Sequence, residues 1–369
     1  MLSGMTETRQ KSALEPPAHS DLQEGDESGS REQGTFTLPA HVGGSGALDL
    51  LVETARDYAR AAASENTLKA YAKDWAHFTR WCRMRGAEPS PPSPELIGLY
   101  IADLAAPQGK SAALSASSIE RRLSGLAWGY AQRGMQMDRK DRHIATVLAG
   151  IRRKRGRPPV QKEAILPEDL RDMLATLPHD LPGLRDRAIL LIGFAGGLRR
   201  SEIVSLDHGK DDTPTSGGWA EVLEDGVLIT LRGKTGWREV EIGRGSADQT
   251  CPVHALTQWL HYAKIDFGPL FVAVSRNGLS ATSEPLSDKH VARLIKSCVR
   301  EAGLRPDLPE AERIRLYSGH SLRAGLASSA EVDERYVQKQ LGHASAEMTR
   351  RYQRRRDRFR INLTKAAGL

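Results

Sequence analysis

The pattern of apolar and polar positions predicts a run of helices between about residue 48 and residue 150. After Ser64, apolar side chains return every three or four residues, which places them on one helix face. These side chains are Leu68, Tyr71, Trp75, Phe78 and Cys82. A second helix is expected to start at Ser93-Pro94-Glu95, which combines a hydroxyl cap, a first-turn proline and an acidic residue.

Two more helices are predicted before residue 151. Ser117 and Glu120 have the spacing of a capping box in front of a further apolar stripe, which ends near Gly134. Apolar residues at Ile144, Val147 and Ile151 indicate a fourth helix. We therefore expect an all-helical domain over residues 47–151.

A basic segment follows, with the sequence Arg152-Arg153-Lys154-Arg155-Gly156-Arg157-Pro158-Pro159. Five bases and two prolines predict an extended, solvated linker over residues 152–164. It could be a charged hinge only, or a strap that crosses a DNA backbone. In the second case the DNA contacts would be Arg152, Arg153, Lys154, Arg155 and Arg157.

Mixed structure is predicted for residues 165–369. Residues 166–177 and 184–194 have helical patterns, whereas apolar residues alternate in two later stretches, as in strands. The alternating residues are Val227, Ile229, Leu231, Val240 and Ile242, and Gly233-Lys234-Thr235-Gly236 supplies the turn between them. The expected fold is mainly α with a small antiparallel β-sheet: a helical N-terminal domain and a mixed α+β domain.

Charge is unevenly distributed along the chain. Residues 1–46 are acidic, with a net charge of −4. Because the whole chain has a net charge of +7, residues 47–369 carry a net charge of +11. The acidic tail has little apolar periodicity and is predicted to be disordered. The basic body suits a polyanionic partner.

Cysteine usage and hydropathy indicate the compartment. The three cysteines form no CxxC pair, which favours a reducing environment. No apolar run approaches the ~20 residues of a membrane span, and the N-terminus lacks the order of a signal peptide, so a cytoplasmic location is expected. Cys251, His254 and His261 could contribute to a metal site, but a fourth ligand is missing and a buried thiol is the preferred interpretation.

Candidate chemistry is concentrated in the second domain. Gly196-Gly197-Leu198-Arg199 ends a helix and places Arg199 at the start of the next, where a phosphate would be favoured, although an ion pair with Glu202 would also explain it. Lys234 lies at the predicted hairpin tip. His320 and Arg323 are three residues apart, so they share a helix face.

Two further motifs lie near the C-terminus. Gly342 is expected to end a helix and place His343 in the turn that follows. Tyr352 stands nine residues after His343 in an arginine-rich stretch, which would attract phosphate and favour a phenolate. Each motif alone has a structural explanation, such as packing, capping or solvation.

Taken in order, these residues resemble the tyrosine recombinase (phage integrase) family over roughly residues 50–360. The resemblance implies DNA cleavage and rejoining through a 3′-phosphotyrosine, with Tyr352 as nucleophile. Glu202 would orient the set, and no metal or cofactor would be needed, in keeping with the lack of a GxxxxGK[ST] loop. The phosphate-activating residues would be Arg199, Lys234, His320, Arg323 and His343. Where many members have a second histidine, this chain has Ala324.

The same resemblance implies a double-stranded DNA partner with specific sites and a synaptic homotetramer, with the tail after Tyr352 docking on a neighbouring subunit. Two other classes remain open: a type IB topoisomerase and a DNA-binding regulator without catalysis. Integration or excision of a mobile genetic element and resolution of DNA would use the same active site.

Overall fold

The computed structural model describes residues 64–107, 112–156, 161–210, 216–233, 236–330 and 333–342, with a few isolated residues outside these ranges. The predicted acidic tail and the tail after Tyr352, which is expected to dock on a neighbouring subunit, lie outside the described residues. The chain divides into two compact units, Met1–Pro158 and Pro159–Leu369. None of the helices in the described part combines the length and apolar character of a membrane span.

Four helices build the described part of the first unit. They are α1 (Glu65–Met84), α2 (Pro94–Ala105), α3 (Ala116–Ala131) and α4 (Arg142–Arg155). Ser93 caps α2 as its sequence context predicts, and Ser64 caps α1. The predicted capping box of α3 is wrong: Ser115 is the cap and accepts from the backbone N–H of Ser118 at 3.2 Å. Several serines in this stretch can cap a helix, and the spacing to Glu120 favours Ser117 in the sequence.

An aromatic core joins α1, α2 and α3. The rings of Trp75 and Tyr130 meet edge to face with centroids 4.9 Å apart, and Phe78 meets Tyr100 at 5.0 Å. Gly129 makes this approach possible, because a Cβ there would lie 2.1 Å from the Trp75 ring. Trp75, Phe78 and Cys82 of the predicted apolar stripe are therefore part of this core.

The basic segment differs from its prediction. Arg152, Arg153, Lys154 and Arg155 form the last turn of α4, and the extended segment expected at these positions is wrong. Cationic side chains in a last turn interact favourably with the negative end of the helix dipole, so the helix continues until Gly156. Residues 157–160 lie outside the described part.

The second unit alternates short helices and strands. Its helices are α5 (Pro167–Ala175), α6 (Leu181–Ala195), α7 (Arg200–Val204), α8 (Pro252–Ala263), α9 (Asp288–Glu301), α10 (Glu310–Leu316), α11 (His320–Ser329) and α12 (Glu334–Leu341). Its strands are β1 (Asp207–His208), β2 (Gly218–Val222), β3 (Gly226–Gly233), β4 (Gly236–Gly243), β5 (Gly268–Pro269), β6 (Val272–Val274) and β7 (Ala281–Pro285).

Five strands form one sheet in the order β4-β3-β2-β1-β5, and β6 pairs with β7 in a second sheet. All pairs are antiparallel except β1 with β2. The predicted hairpin is confirmed: β3 and β4 pair along their whole length, with Gly233 opposite Gly236.

The two faces of the hairpin differ in character. Ile229, Leu231, Val240 and Ile242 are buried against the helices. On the opposite face, the rings of Trp219 and Trp237 lie 5.3 Å apart, and Trp237 is 49% exposed. The inner face fixes the register of the sheet and thereby the position of the hairpin tip.

Candidate active site

The turn between α6 and α7 places Arg199. Gly196 ends α6, and Gly197 follows with φ of +57°. A Cβ at Gly197 would lie 2.5 Å from Cδ2 of Leu341, so glycine is required by both conformation and space. Arg199 is then the N-cap of α7, as the sequence predicts.

Glu202 holds Arg199 by two hydrogen bonds. The backbone N–H of Arg199 donates to Oε2 at 2.8 Å, and its Nη1 donates to Oε1 at 2.5 Å. The Glu202 side chain is largely buried, whereas that of Arg199 is 44% exposed. Burial opposes ionisation, but the Arg199 N–H and the charges of Arg199 and Arg238 hold the pKa of Glu202 below its ordinary value. An ionised carboxylate thus anchors a cation that faces solvent.

Arg238 on β4 is a site residue that the sequence interpretation missed. Its Nη2 donates to Oε2 of Glu202 at 3.2 Å, and its Nη1 donates to the carbonyl oxygen of Gln340 at 2.7 Å. The available signal was a charged residue at an inward position, in alternation with Val240 and Ile242. Such a residue needs a buried polar partner.

Arg323 lies in the first turn of α11 and is 1% exposed. Its Nη1 donates to the carbonyl oxygen of Gly197 at 2.7 Å, and its Nη2 donates to that of Leu341. The guanidinium therefore ties the turn before Arg199 to the end of α12. Each Nη thus donates one hydrogen bond within the protein, which the helix pattern could not reveal, and each carries a second N–H besides.

His320 is the first residue of α11 and is exposed. Partial desolvation of the ring lowers its pKa, and the charges of Arg323 and Arg199 lower it further. The preceding Gly319 packs against Arg200, since a Cβ there would lie 1.9 Å from Cγ of Arg200. The starts of α7 and α11 are thus in contact, and His320 lies close enough to Arg199 and Arg323 to feel their charges. The lowered pKa favours the neutral form of the ring.

Lys234, His343 and Tyr352 lie outside the described residues. Two residues close to them in the chain, Gly342 and Arg350, are described. Gly342 ends α12 with φ of +58°, as predicted for the residue before His343. Arg350, two residues before Tyr352, donates to Glu334 at the start of α12 at 3.1 Å.

Of the candidate metal ligands Cys251, His254 and His261, Cys251 has a structural role. All three cysteines are buried and unpaired. Sγ of Cys251 accepts from the backbone N–H of His254 at 3.4 Å, as a helix cap. Within the described ranges, no three His, Cys, Asp or Glu side chains are grouped as metal ligands would be.

The candidate DNA contacts are not equivalent. Arg152 pairs with Glu120 on α3 at 2.7 Å. Arg153, Lys154 and Arg155 are exposed in the last turn of α4, and Arg157 lies outside the described residues. Exposed cations at a helix end are well suited to phosphate contact, but their target is a prediction.

A helical domain followed by a mixed domain, in which two arginines and a histidine converge beside a carboxylate, is the architecture of tyrosine recombinases. Residues 163–358 match the model of the phage integrase family. The chain belongs to this family of tyrosine site-specific recombinases, which act on DNA.

Relatives and solved structures agree with this assignment. The integrase/recombinase xerD homolog of Selenomonas ruminantium is 34% identical over 312 residues, covering 81% of this chain and 84% of that protein. Tyrosine recombinase XerD of Bradyrhizobium diazoefficiens is 29% identical over 307 residues, covering 80% and 87%. The crystal structure of XerH site-specific recombinase bound to palindromic difH substrate, a post-cleavage complex, has a similar fold, with a TM-score of 0.55, 18% identity and coverage of 88% of this chain and 84% of that chain.

Proposed function

We propose that this recombinase cuts and rejoins double-stranded DNA through a 3′-phosphotyrosine on Tyr352. Oη of Tyr352 attacks the scissile phosphorus, the new P–O bond to tyrosine forms, and the bond to the 5′-oxygen breaks. Attack by a 5′-hydroxyl from a second strand reverses these steps and releases the tyrosine. The phosphodiester bond energy is conserved in the intermediate.

The observation that carries the proposal is the convergence of Arg199, Arg323 and His320 around the start of α7. Negative charge develops on the non-bridging oxygens as tyrosine attacks, and Arg199 is anchored with its guanidinium partly exposed to receive it. Arg323 and His343 are assigned to stabilise the same negative charge on the non-bridging oxygens. Removal of one such donor typically costs ~10²–10³ in rate.

Proton transfers need a base and an acid. The Tyr352 phenol, with an ordinary pKa near ~10, must lose its proton, and His320 is assigned as the acceptor because its lowered pKa keeps the ring neutral. Lys234, at the tip of the β3–β4 hairpin, is assigned to protonate the leaving 5′-oxygen. Glu202 is assigned as the residue that orients Arg199.

Binding is proposed to use phosphate contacts from the basic end of α4, with Arg153, Lys154 and Arg155 foremost, and Arg152 and Arg157 beside them. Recognition of specific target sites and assembly of a synaptic homotetramer are part of the proposal. XerH in the structure named above is bound to a palindromic site. The proposal includes a cytoplasmic location, where such a DNA substrate is found. The reaction would serve integration, excision or resolution of DNA.

The test is trapping of a covalent complex on nicked target-site DNA, from which the strand end beside the cleavage point diffuses away. Wild-type protein is expected to form an adduct that survives denaturation, and Tyr352→Phe is expected to bind the DNA without forming it. Tyr336→Phe, at a tyrosine 71% exposed on α12, is the matched control and should react normally. An adduct with Tyr352→Phe would show that another residue is the nucleophile.

A further inference from the structure

The single side chain of Arg238 contacts both the start of α7 and the end of α12. It lies on β4, four residues after Lys234, on the same face as Val240 and Ile242, and its side chain is only 15% exposed. A guanidinium at such a position has a fixed place, because a buried charge must be paired.

One end of this guanidinium holds the start of α7. Nη2 donates to Oε2 of Glu202, the same oxygen that accepts from the backbone N–H of Arg199. Glu202 is thus shared between Arg199 and Arg238. Without Arg238, the carboxylate would lose one of its two charge partners and the restraint on its position.

The other end holds the last turn of α12. Nη1 donates to the carbonyl oxygen of Gln340, one of the helix-end carbonyls that lack a partner within a helix. Gly342 packs directly on the same side chain, since a Cβ there would lie 2.7 Å from Cδ of Arg238. Helix α12 ends at this point.

We propose that Arg238 is a positioning residue that holds Arg199, through Glu202, in a fixed position relative to β4 and the end of α12. The inference rests on the proposed function, because it assigns Arg238 a role through Arg199. A planar fork can bridge Glu202 and Gln340 together, and a lysine ammonium at the same place cannot keep both geometries.

The first measurement separates cleavage from binding. Arg238→Lys is expected to lower the cleavage rate at saturating protein about 10–10²-fold while DNA affinity stays within about 2-fold, because Arg238 is largely buried and bonded to the protein. Arg244→Lys, at an exposed arginine just beyond β4 that donates to the carbonyl of Glu224, is the control and should cleave at the wild-type rate.

The second measurement asks whether Arg238 acts through Glu202. In a double-mutant cycle, Arg238→Lys combined with Glu202→Gln is expected to be little slower than the slower single variant, because both changes release Arg199. Effects that multiply would show that Arg238 supports the fold independently of Arg199 and would overturn the inference. Arg238→Gln, which keeps a donor for Gln340, is the second variant if Arg238→Lys unfolds at a lower temperature than wild type.

Failure of the inference and failure of the proposed function give different results. If Arg199→Ala cleaves at the wild-type rate, the proposed site is wrong. If Arg199→Ala is inactive and either folded Arg238 variant cleaves at the wild-type rate, only the role of Arg238 is wrong.

Discussion

The Arg323 guanidinium donates a 2.7 Å hydrogen bond to the carbonyl oxygen of Gly197, 126 positions earlier in the chain. That carbonyl points at Arg323 because Gly197 has a positive φ, and the same turn delivers Arg199 two residues later. The two phosphate-binding candidates are therefore linked through a glycine backbone. Substitutions at this link should act on fold and catalysis together.

Gly197→Ala should destabilise the protein by about 2–4 kcal/mol, because it adds a contact with Leu341 to the strain of a left-handed alanine. The measurement is the free energy of unfolding in urea. Gly278→Ala is the matched control: Gly278 has φ of +76° but no atom within 4 Å of its Cβ position, so only strain of about 1–2 kcal/mol is expected. Equal losses in the two variants would mean that the Leu341 contact is unimportant.

Glu202→Gln should lower the cleavage rate about 10–10²-fold, less than the ~10²–10³ expected for loss of a donor that touches the phosphate. The amide keeps the shape of the side chain but removes the charge that holds Arg199 and Arg238. Rates on nicked DNA are compared with those of Glu239→Gln, an exposed position on β4. A Glu202 variant as fast as the control would remove this residue from the active site.

Cleavage should depend on pH through His320. A base must be neutral to accept a proton, and the pKa of His320 is lowered, so activity should hold from pH 8 to pH 7 and fall only at more acidic pH, with a midpoint below ~6.5. The measurement is the single-turnover rate against pH. His320→Gln should lose this acidic limb, whereas His261→Gln, at an exposed histidine on α8, should keep it. A midpoint above ~6.5 would contradict the assignment.

The exposed basic end of α4 should contribute to DNA affinity through phosphates. Replacing Arg153, Lys154 and Arg155 by alanine together should weaken binding to all sequences and reduce the slope of log K against log salt by about 3. Arg152→Ala should change the slope by less than 1, because Glu120 already neutralises this arginine. An unchanged slope in the triple variant would place the DNA elsewhere.

The sequence predicts long, strongly patterned elements well. The α1 stripe, the β3–β4 hairpin and the helix predicted over residues 184–194 (α6) follow from local periodicity, and all are found. Strands β1 and β5 have two residues each and are defined only by their pairing across the sheet. No local sequence pattern predicts them for this reason. The length of α4 was missed because a basic, proline-flanked segment suits both a helix end and a linker.

The candidate site also has parts that the sequence predicts and parts that depend on the fold. The family resemblance makes Arg199, Glu202, His320 and Arg323 candidates, and the structure brings the starts of their helices, α7 and α11, into contact. The burial of Arg323 and the bridge made by Arg238 depend on contacts with residues 18 to 126 positions away in the chain, which local periodicity cannot supply. Assignments that fall on Lys234, His343 and Tyr352 stay predictions.

The Trp219–Trp237 pair gives this molecule an optical probe of its own hairpin. Trp75, Trp81 and Trp259 are buried and Trp128 and Trp219 are half-buried, which leaves Trp237 as the indole most accessible to solvent and to a collisional quencher such as iodide. Since Trp237 stands three residues after Lys234, quenching of its emission reports what surrounds the hairpin, without any added label. A change in the solvent exposure of the hairpin can thus be followed in the unmodified chain.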